Sequence, residues 1–251
     1  MRNQDGKAHP NREGIVSIDL AFVGDETHRR LLHEILDRAL RDQETIGVLL
    51  MGSVSRGDAY PGSDLDLLIL LRDGCSRPFH SEVREGLLVE CAYADVNQAQ
   101  AKLERNPMRV YAYLDGRILY DPQGWLGQLT DLARASLASY EMPGEDKHKL
   151  AYWLESTRHK MIAAREAGDL LQAAFVASTT SWKILEGLWA VNDRPMPAGG
   201  AVRAHIQDLT RRPPALEDLW HRLFAGDAPS RVQAAIEAIE WVVPRLDPTL
   251  G

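Results

Sequence analysis

The amino-acid sequence predicts an α+β fold, with a mixed sheet and helices in residues 1–140 and an all-α helical bundle in residues 141–251. In the first part, short apolar runs bounded by turn-forming residues alternate with amphipathic stretches, which is typical of strands and helices in one layered domain. In the second part, every apolar pattern has helical spacing. The two parts meet at residues 140–144, where Pro143 and Gly144 interrupt the pattern and indicate the domain boundary.

The elements of the first domain can be assigned in chain order. Residues 14–23 are either a strand or an ordered lead-in. Apolar residues at helical spacing predict a helix over 27–41, with Asp25 or Thr27 as its N-cap. Residues 108–120 are ambiguous, although they end in the pattern of a turn and a short strand. The remaining predicted elements are strands at 46–51, 65–71 and 86–94 and helices at 96–104 and 125–138.

The second domain is predicted to contain helices only. In one of them, Phe175 and Trp182 lie on the predicted packed face, and Trp153 is likewise expected to pack in the core rather than stack on a ligand. Ser230 followed by Gln233 predicts a capping box at the start of the last helix. The predicted helices are 150–168, 171–191, 201–209, 216–224 and 231–243.

The composition indicates a globular protein with an acidic surface. The chain of 251 residues has 29 Lys and Arg against 36 Asp and Glu, a formal net charge of -7. This charge argues against broad binding to a nucleic-acid backbone. Cys75 and Cys91 lack metal-binding spacing, and a reduced cytoplasmic setting is expected. The N-terminus lacks the apolar core of a signal peptide and no later apolar run could span a bilayer, so we expect no membrane partner. A monomer or homodimer is expected.

A turn of small residues follows the strand predicted at 46–51. Gly52 and Ser53 can present backbone N–H groups and a hydroxyl to phosphate oxygens, because no bulky side chain blocks the approach. Arg56 adds a positive charge nearby. This turn therefore predicts a phosphate-binding site.

Two carboxylates open the next strand. Asp64 and Asp66 are two positions apart, so both side chains point to one face, while Leu65 and Leu67 point into a core. Carboxylates held this close repel each other unless a cation lies between them, and their oxygens are hard ligands that suit Mg²⁺. This pair, directly after Ser63, predicts a magnesium site whose metal would bridge a nucleoside triphosphate.

The turn and the carboxylate pair together resemble the signature of the nucleotidyltransferase superfamily that includes DNA polymerase β. That signature is a hydrophobic residue, Gly-Ser, a spacer, then Asp-hydrophobic-Asp-hydrophobic, which Met51-Gly52-Ser53 and Asp64-Leu65-Asp66-Leu67 match in full. The resemblance covers residues 46–95. It implies that the two aspartates hold metal ions, that the Gly-Ser turn binds the nucleotide phosphates, and that a later strand supplies a third carboxylate. From their positions beside these motifs, Arg56 and Ser63 are also expected to bind the nucleotide.

Glu90 matches the third carboxylate of that family. It is the lone carboxylate within the apolar run of the strand at 86–94, a position that is costly without a purpose. In small-molecule adenylyltransferases of the family, this carboxylate looks able to act as the general base that takes the proton of the acceptor hydroxyl. The resemblance therefore implies that Glu90 could ligate a metal, accept that proton, or do both. A solvent-facing glutamate on an edge strand is the alternative, and Glu85 or Asp95 replaces Glu90 if the register differs.

The order of a catalytic domain and then a helical bundle resembles the aminoglycoside nucleotidyltransferases of antibiotic resistance. The resemblance implies transfer of AMP from ATP to a hydroxyl of a small acceptor, such as an aminoglycoside. Lys183, in the bundle, could reach the triphosphate or simply extend from its helix into water. A protein or RNA acceptor, as in toxin–antitoxin nucleotidyltransferases, is the alternative, and a catalytically silent nucleotide-binding protein is a third hypothesis.

Overall fold

A computed structural model describes residues 9–10 and 16–250 of the chain. These residues form two compact units. The first contains the described residues up to Ala138 together with Pro197–Ala201, and the second contains Ser139–Met196 and the chain from Val202. The mixed sheet lies in the first unit and the later part of the chain is helical, so the predicted α+β fold is confirmed. The division into functional domains at residue 140 stays a prediction.

The chain up to residue 139 contains both the strands and the helices that flank them. In order, the elements are β1 (His9–Pro10), β2 (Val16–Ser17), α1 (Glu26–Arg41), β3 (Thr45–Met51), α2 (Gly52–Arg56), β4 (Leu65–Leu71), β5 (His80–Arg84), β6 (Leu87–Asp95), α3 (Val96–Arg105), a 3-10 turn (Pro107–Arg109), α4 (Val110–Leu114), β7 (Arg117–Tyr120) and α5 (Trp125–Ser139).

The larger sheet has the strand order β5-β6-β4-β3-β7. β4 and β6 are parallel, whereas the other neighbouring strands are antiparallel. Side chains alternate between the two faces of β4. Leu65 and Leu67 belong to the core beneath α1, as predicted, and Leu68 and Leu70 belong to the core beneath α3 and α5. β4 is therefore buried on both faces, and a substrate could reach its side chains only near the start of the strand, where Asp66 is half-buried.

Most predicted elements of this region are confirmed to within one or two residues. The first long helix begins after Asp25, whose carboxylate caps it by accepting from the N–H of His28 at 2.9 Å. β5 was not predicted, because its residues are polar and largely exposed and contain no apolar run. The ambiguous stretch 108–120 holds the 3-10 turn, α4 and β7. Of the stretch 14–23, β2 is described, and residues 14 and 15 lie outside the described residues.

The helices after residue 139 pack around a separate apolar core. Gly187 allows α7 and α10 to approach closely, because a Cβ atom there would lie 2.6 Å from Cγ1 of Val242. Of the helices in the described part of the chain, none is both long and apolar enough to cross a lipid bilayer. In order, they are α6 (Gly144–Glu166), α7 (Leu170–Val191), α8 (Gly199–His205), a 3-10 turn (Ile206–Asp208), α9 (Leu216–Ala225) and α10 (Ala228–Leu246).

Two predictions about the helical region are wrong. The last helix is capped by Asp227, which accepts from the N–H of Ser230 at 2.9 Å, so Ser230 lies inside the helix and forms no capping box. Phe175, Trp182 and Trp153 are 61%, 44% and 41% exposed rather than packed. The packed face of α7 consists mainly of small and aliphatic residues, which lets neighbouring helices approach and leaves these aromatic rings on the outside.

Candidate functional site

Gly52 shapes the turn at the end of β3. It has a φ of 72°, in the left-handed region that favours glycine. A Cβ atom at this position would lie 2.3 Å from Oδ2 of Asp66. Glycine is therefore required twice, by the backbone conformation and by the contact with the carboxylate. The turn is held directly against Asp66.

Asp66 and Glu90 occupy facing positions in the sheet. The parallel register of β4 and β6 pairs Asp66 with Glu90, and the antiparallel register of β3 and β4 pairs Asp66 with Met51. Three neighbouring strands thus bring the Gly52 turn and the two carboxylates to one place. The hydroxyl of Ser81, on β5, also lies 3.4 Å from Oε1 of Glu90.

The environment of Asp66 disfavours its charged form. Burial raises the pKa of Asp66, and the charges of Glu90 and Asp64 raise it further, while Arg56 opposes the shift. Both neighbours are carboxylates, so the site is short of positive charge. A cation or a shared proton would relieve the repulsion, and hard carboxylate oxygens are the ligands that Mg²⁺ prefers.

Asp64 differs from the other two carboxylates because it is exposed just before β4. Among the described residues, no group of three His, Cys, Asp or Glu side chains is already gathered closely enough to hold a metal ion. Asp66 and Glu90 form the assembled pair, and Asp64 is close enough for its charge to affect Asp66.

The predicted register of β6 agrees with the structure. Val89 and Cys91 belong to the core beneath α1, and Glu90 points to the opposite face. β6 lies between β5 and β4, so Glu90 is not on an edge strand. Glu85 is exposed in the β5–β6 turn and pairs with Arg30, and Asp95 caps α3, so both of the substitutes considered for Glu90 have other partners.

Ser53 and Arg56 both lie in α2, the short helix after the turn. The carbonyl oxygen of Ser53 accepts from the N–H groups of Gly57 and Asp58, at 2.9 and 3.1 Å. Arg56 forms ion pairs with Asp58 at 3.2 Å and with Asp115 at 3.5 Å. Its positive charge is therefore shared with carboxylates of its own unit as well as acting on Asp66.

Asp115 and His28 contact the motif residues, and neither was singled out from the sequence. The carbonyl oxygen of Asp115 accepts from the hydroxyl of Ser55 at 2.7 Å, which ties α2 to the end of α4. His28 bonds to the carbonyl oxygen of Ser63 at 2.7 Å. The spacing Asp25-x-x-His28 at a helix start was the available signal, but it indicates a cap and not the distant contact.

Ser63 closes the loop that leads into β4. Its N–H donates to the carbonyl oxygen of Tyr60 at 2.9 Å, and its hydroxyl accepts from the N–H of Tyr60 at 2.8 Å. The hydroxyl thus has a partner within the loop, although Ser63 was predicted to bind nucleotide. Its predicted role toward phosphate stays a prediction, as do those of Gly52 and Ser53.

Lys183 lies in the helical unit and forms an ion pair with Glu186 at 2.6 Å. Both residues line a pocket of about 360 Å³ within that unit. The burial of Tyr140 raises the pKa of its hydroxyl, and Glu186 and Asp146 raise it further. The other residues lining this pocket are Met142, Pro143, Asp146, Lys149, Leu150 and Trp153.

Residues 18–114 match the family model described as nucleotidyltransferase domain. The chain is also similar to the crystal structure of a nucleotidyltransferase-like protein from Exiguobacterium sibiricum 255-15, with 14% sequence identity, a TM-score of 0.39, and coverage of 86% of this chain and 74% of that chain. No curated protein matches the chain. The matched stretch contains the Gly52 turn, both aspartates and Glu90, and the match supports the resemblance of residues 18–114 to the nucleotidyltransferase domains of the polymerase β-like superfamily.

Proposed function

We propose that this chain transfers AMP from ATP to a hydroxyl group of a small-molecule acceptor, and that an aminoglycoside is the acceptor class. The observation that carries the transfer chemistry is the pairing of Asp66 with Glu90 beside the Gly52 turn. A half-buried carboxylate pair next to a turn of small residues suits a reaction in which a proton leaves a hydroxyl while a phosphate is held close by.

In the proposed reaction, the acceptor hydroxyl oxygen forms a bond to the α-phosphorus. The bond between that phosphorus and the oxygen leading to the β-phosphate breaks, and pyrophosphate leaves. Glu90 accepts the hydroxyl proton. The N–H groups and hydroxyl of Gly52 and Ser53 hold phosphate oxygens, and Arg56 adds positive charge to the same region.

The acidic residues of the site fit a divalent cation. Burial and then the charges of Glu90 and Asp64 raise the pKa of Asp66, so a cation would stabilise its charged form, and carboxylates are suitable ligands. Asp64 and Asp66, together with Glu90, would hold Mg²⁺. When bound, the ion would supply charge neutralisation for the triphosphate.

The pocket of the helical unit supports the aminoglycoside proposal. It offers the rings of Tyr140 and Trp153 and the carboxylates of Asp146 and Glu186. Carboxylates bind ammonium groups, and aromatic faces pack against sugar rings and attract cations. Lys183 lines the same pocket, and we propose it as a nucleotide-binding residue.

The test is pyrophosphate release with Mg²⁺, each of the four nucleoside triphosphates and a panel of aminoglycosides. We expect ATP to be the preferred donor and at least one aminoglycoside to raise the rate well above that without acceptor. A panel that leaves the rate unchanged contradicts the acceptor class. Label from ATP retained on protein or RNA of a cell extract would instead support a macromolecular acceptor.

A variant of the pocket separates the acceptor site from the transfer chemistry. Glu186→Gln removes one carboxylate from the pocket and leaves the first unit unchanged. We expect the KM for the aminoglycoside to rise more than the KM for ATP, which can also change because Glu186 pairs with Lys183. Glu217→Gln, an exposed glutamate on α9 outside the pocket, is the matched control. Equal KM values for the two variants would contradict the pocket assignment.

A further inference from the structure

His28 lies in the first turn of α1 and is only 1% exposed. Its Nδ1 lies 2.8 Å from Oδ1 of Asp25, and the same carboxylate oxygen accepts from the backbone N–H of His28. Its Nε2 lies 2.7 Å from the carbonyl oxygen of Ser63, a residue 35 positions further along the chain. The imidazole ring therefore joins the cap of α1 to the loop before β4.

Both ring nitrogens of His28 face hydrogen-bond acceptors. A carbonyl oxygen accepts only, so Nε2 must carry a hydrogen toward Ser63. Hydrogen bonds from the backbone and the side chain of His28 lower the pKa of Asp25, which keeps that carboxylate charged. Nδ1 faces this carboxylate, so the ring is held between oxygen atoms of two separate segments of the chain.

His28 contacts the loop before β4 at Ser63, the last residue before the two aspartates of the site. Ser63 is the residue directly before Asp64, and Asp66 follows two positions later. Ser63 is already bonded to Tyr60 through its N–H and its hydroxyl, so its carbonyl oxygen is the third group to be held. With that bond in place, the loop cannot shift along β4 without breaking a buried hydrogen bond.

We propose that His28 is a positioning residue, which holds Ser63 and thereby sets where Asp64 and Asp66 enter the site. The role in catalysis rests on the proposed nucleotide transfer. The link between His28 and the loop does not, and it can be measured by itself. A residue that positions another group influences turnover steeply, because an error of about 1 Å in the position of a reacting group can reduce the rate about a hundredfold.

Two amide variants separate the two hydrogen bonds of His28. Glutamine places its amide nitrogen near the position of Nε2, so His28→Gln keeps a donor toward Ser63. Asparagine is shorter and places its amide nitrogen near Nδ1, so His28→Asn keeps a donor toward Asp25 and loses the one toward Ser63. Both variants put an uncharged amide in the same buried site. His33→Asn, on the exposed side of the same helix, is the control.

The first readout is hydrogen exchange of the backbone amides of Tyr60 and Ser63, which needs no substrate. In His28→Asn we expect exchange about tenfold or more faster than in the wild type, because one buried hydrogen bond no longer opposes opening of the loop. In His28→Gln and His33→Asn we expect wild-type exchange. Wild-type exchange in His28→Asn would overturn the proposal.

The second readout is kcat, measured well below the melting temperature of every variant. We expect kcat of His28→Asn to be about a hundredfold below that of the wild type. We expect kcat of His28→Gln to be at least about tenfold above that of His28→Asn. Equal loss of thermal stability in both variants with wild-type kcat would show a purely structural role and overturn the positioning role. If the wild type transfers no nucleotide to any acceptor, the proposed function fails, and hydrogen exchange still decides whether His28 holds the loop.

Discussion

Asp66 on β4 and Glu90 on β6 face each other in the parallel register of two neighbouring strands. Burial of Asp66 and the charge of Glu90 both raise the pKa of Asp66. The fold thus holds two carboxylates that repel each other on neighbouring inner strands of the sheet. Such a pair lowers the stability of the fold and is expected where a ligand or a reaction uses it.

Asp66→Asn should make the protein more stable and less active. Because the pKa of Asp66 is raised in the folded state, the folded chain binds more protons than the unfolded chain between pH 3.8 and the raised pKa. Stability therefore falls as the pH rises through this window, and the charged form is unfavourable at neutral pH. We expect Asp66→Asn to raise Tm at pH 7 by about 2 °C or more and to lower kcat at least about a hundredfold.

Thermal melts over a pH series and pyrophosphate-release rates check this expectation. The gain in Tm should shrink as the pH is lowered toward 3.8, where the wild-type carboxyl becomes protonated in both states. Asp131→Asn, at an exposed position of α5, is the control and should change neither quantity. A lower Tm for Asp66→Asn at pH 7 would contradict the assigned electrostatics.

Gly52→Ala should damage the site more than the same change at another left-handed glycine. Both Gly52 and Gly124 have positive φ values, 72° and 76°, but only Gly52 has a neighbour, Asp66, in the path of a Cβ atom. We expect Gly124→Ala to lose about 1 kcal/mol of unfolding free energy through backbone strain alone. Gly52→Ala should lose about 2–3 kcal/mol, because strain and overpacking add, and should show no measurable transfer.

Urea denaturation of the two alanine variants, followed by rate measurements on the folded proteins, checks the comparison. If both variants lose the same free energy and keep the same activity, the close contact between the turn and Asp66 has no role.

Glu90→Gln should slow the reaction. The amide keeps the shape of the side chain but cannot accept the hydroxyl proton, and loss of a general base typically reduces the rate about 10²–10⁴-fold. Glu85→Gln is the matched variant, five positions earlier and exposed in the turn before β6. We expect it to keep kcat within about twofold. A large loss of kcat in Glu85→Gln, with kcat of Glu90→Gln within about twofold of the wild type, would assign the general base to Glu85 instead of Glu90.

Cys91 should react with thiol reagents far more slowly than Cys75. Cys91 is 4% exposed, and burial raises the pKa of its thiol from 9.0 to about 11, whereas Cys75 is half-buried. A rise of this size reduces the thiolate fraction at pH 7 about a hundredfold, before steric protection is counted. Labelling with iodoacetamide followed by peptide mass spectrometry should find Cys75 modified first and Cys91 modified only after denaturation. Equal labelling rates in the native protein would contradict the burial of Cys91.

The order in which features can be predicted follows from the range of the interactions involved. Strand alternation is local, so the sequence was sufficient to place Asp66 and Glu90 on faces opposite their apolar neighbours. The motif Met51-Gly52-Ser53 with Asp64-Leu65-Asp66-Leu67 likewise indicated the reaction class, which the family match over residues 18–114 supports. The long helices were predictable because their apolar spacing repeats over several turns.

Features that depend on distant partners were not predictable. β5 has no apolar pattern of its own and becomes a strand only by pairing with β6. Phe175 and Trp182 have the spacing of packed residues, but the small residues on the other face of α7 pack in their place. Local pattern cannot decide which of two faces meets a neighbour, because that depends on the shape of the partner helices.

By itself, the sequence indicated a nucleotidyltransferase domain and the residues proposed to act in it, because local spacing is enough to indicate them. These residues are the Gly52 turn, the aspartates at and just before the start of β4 and the lone carboxylate within the apolar run of β6. Only the tertiary structure decided that Asp66 lies against both Gly52 and Glu90, and that His28 reaches Ser63 from 35 positions away. These contacts depend on how strands pair and how a helix packs on a loop. Such non-local choices are made by the burial of the whole core, which no short segment encodes.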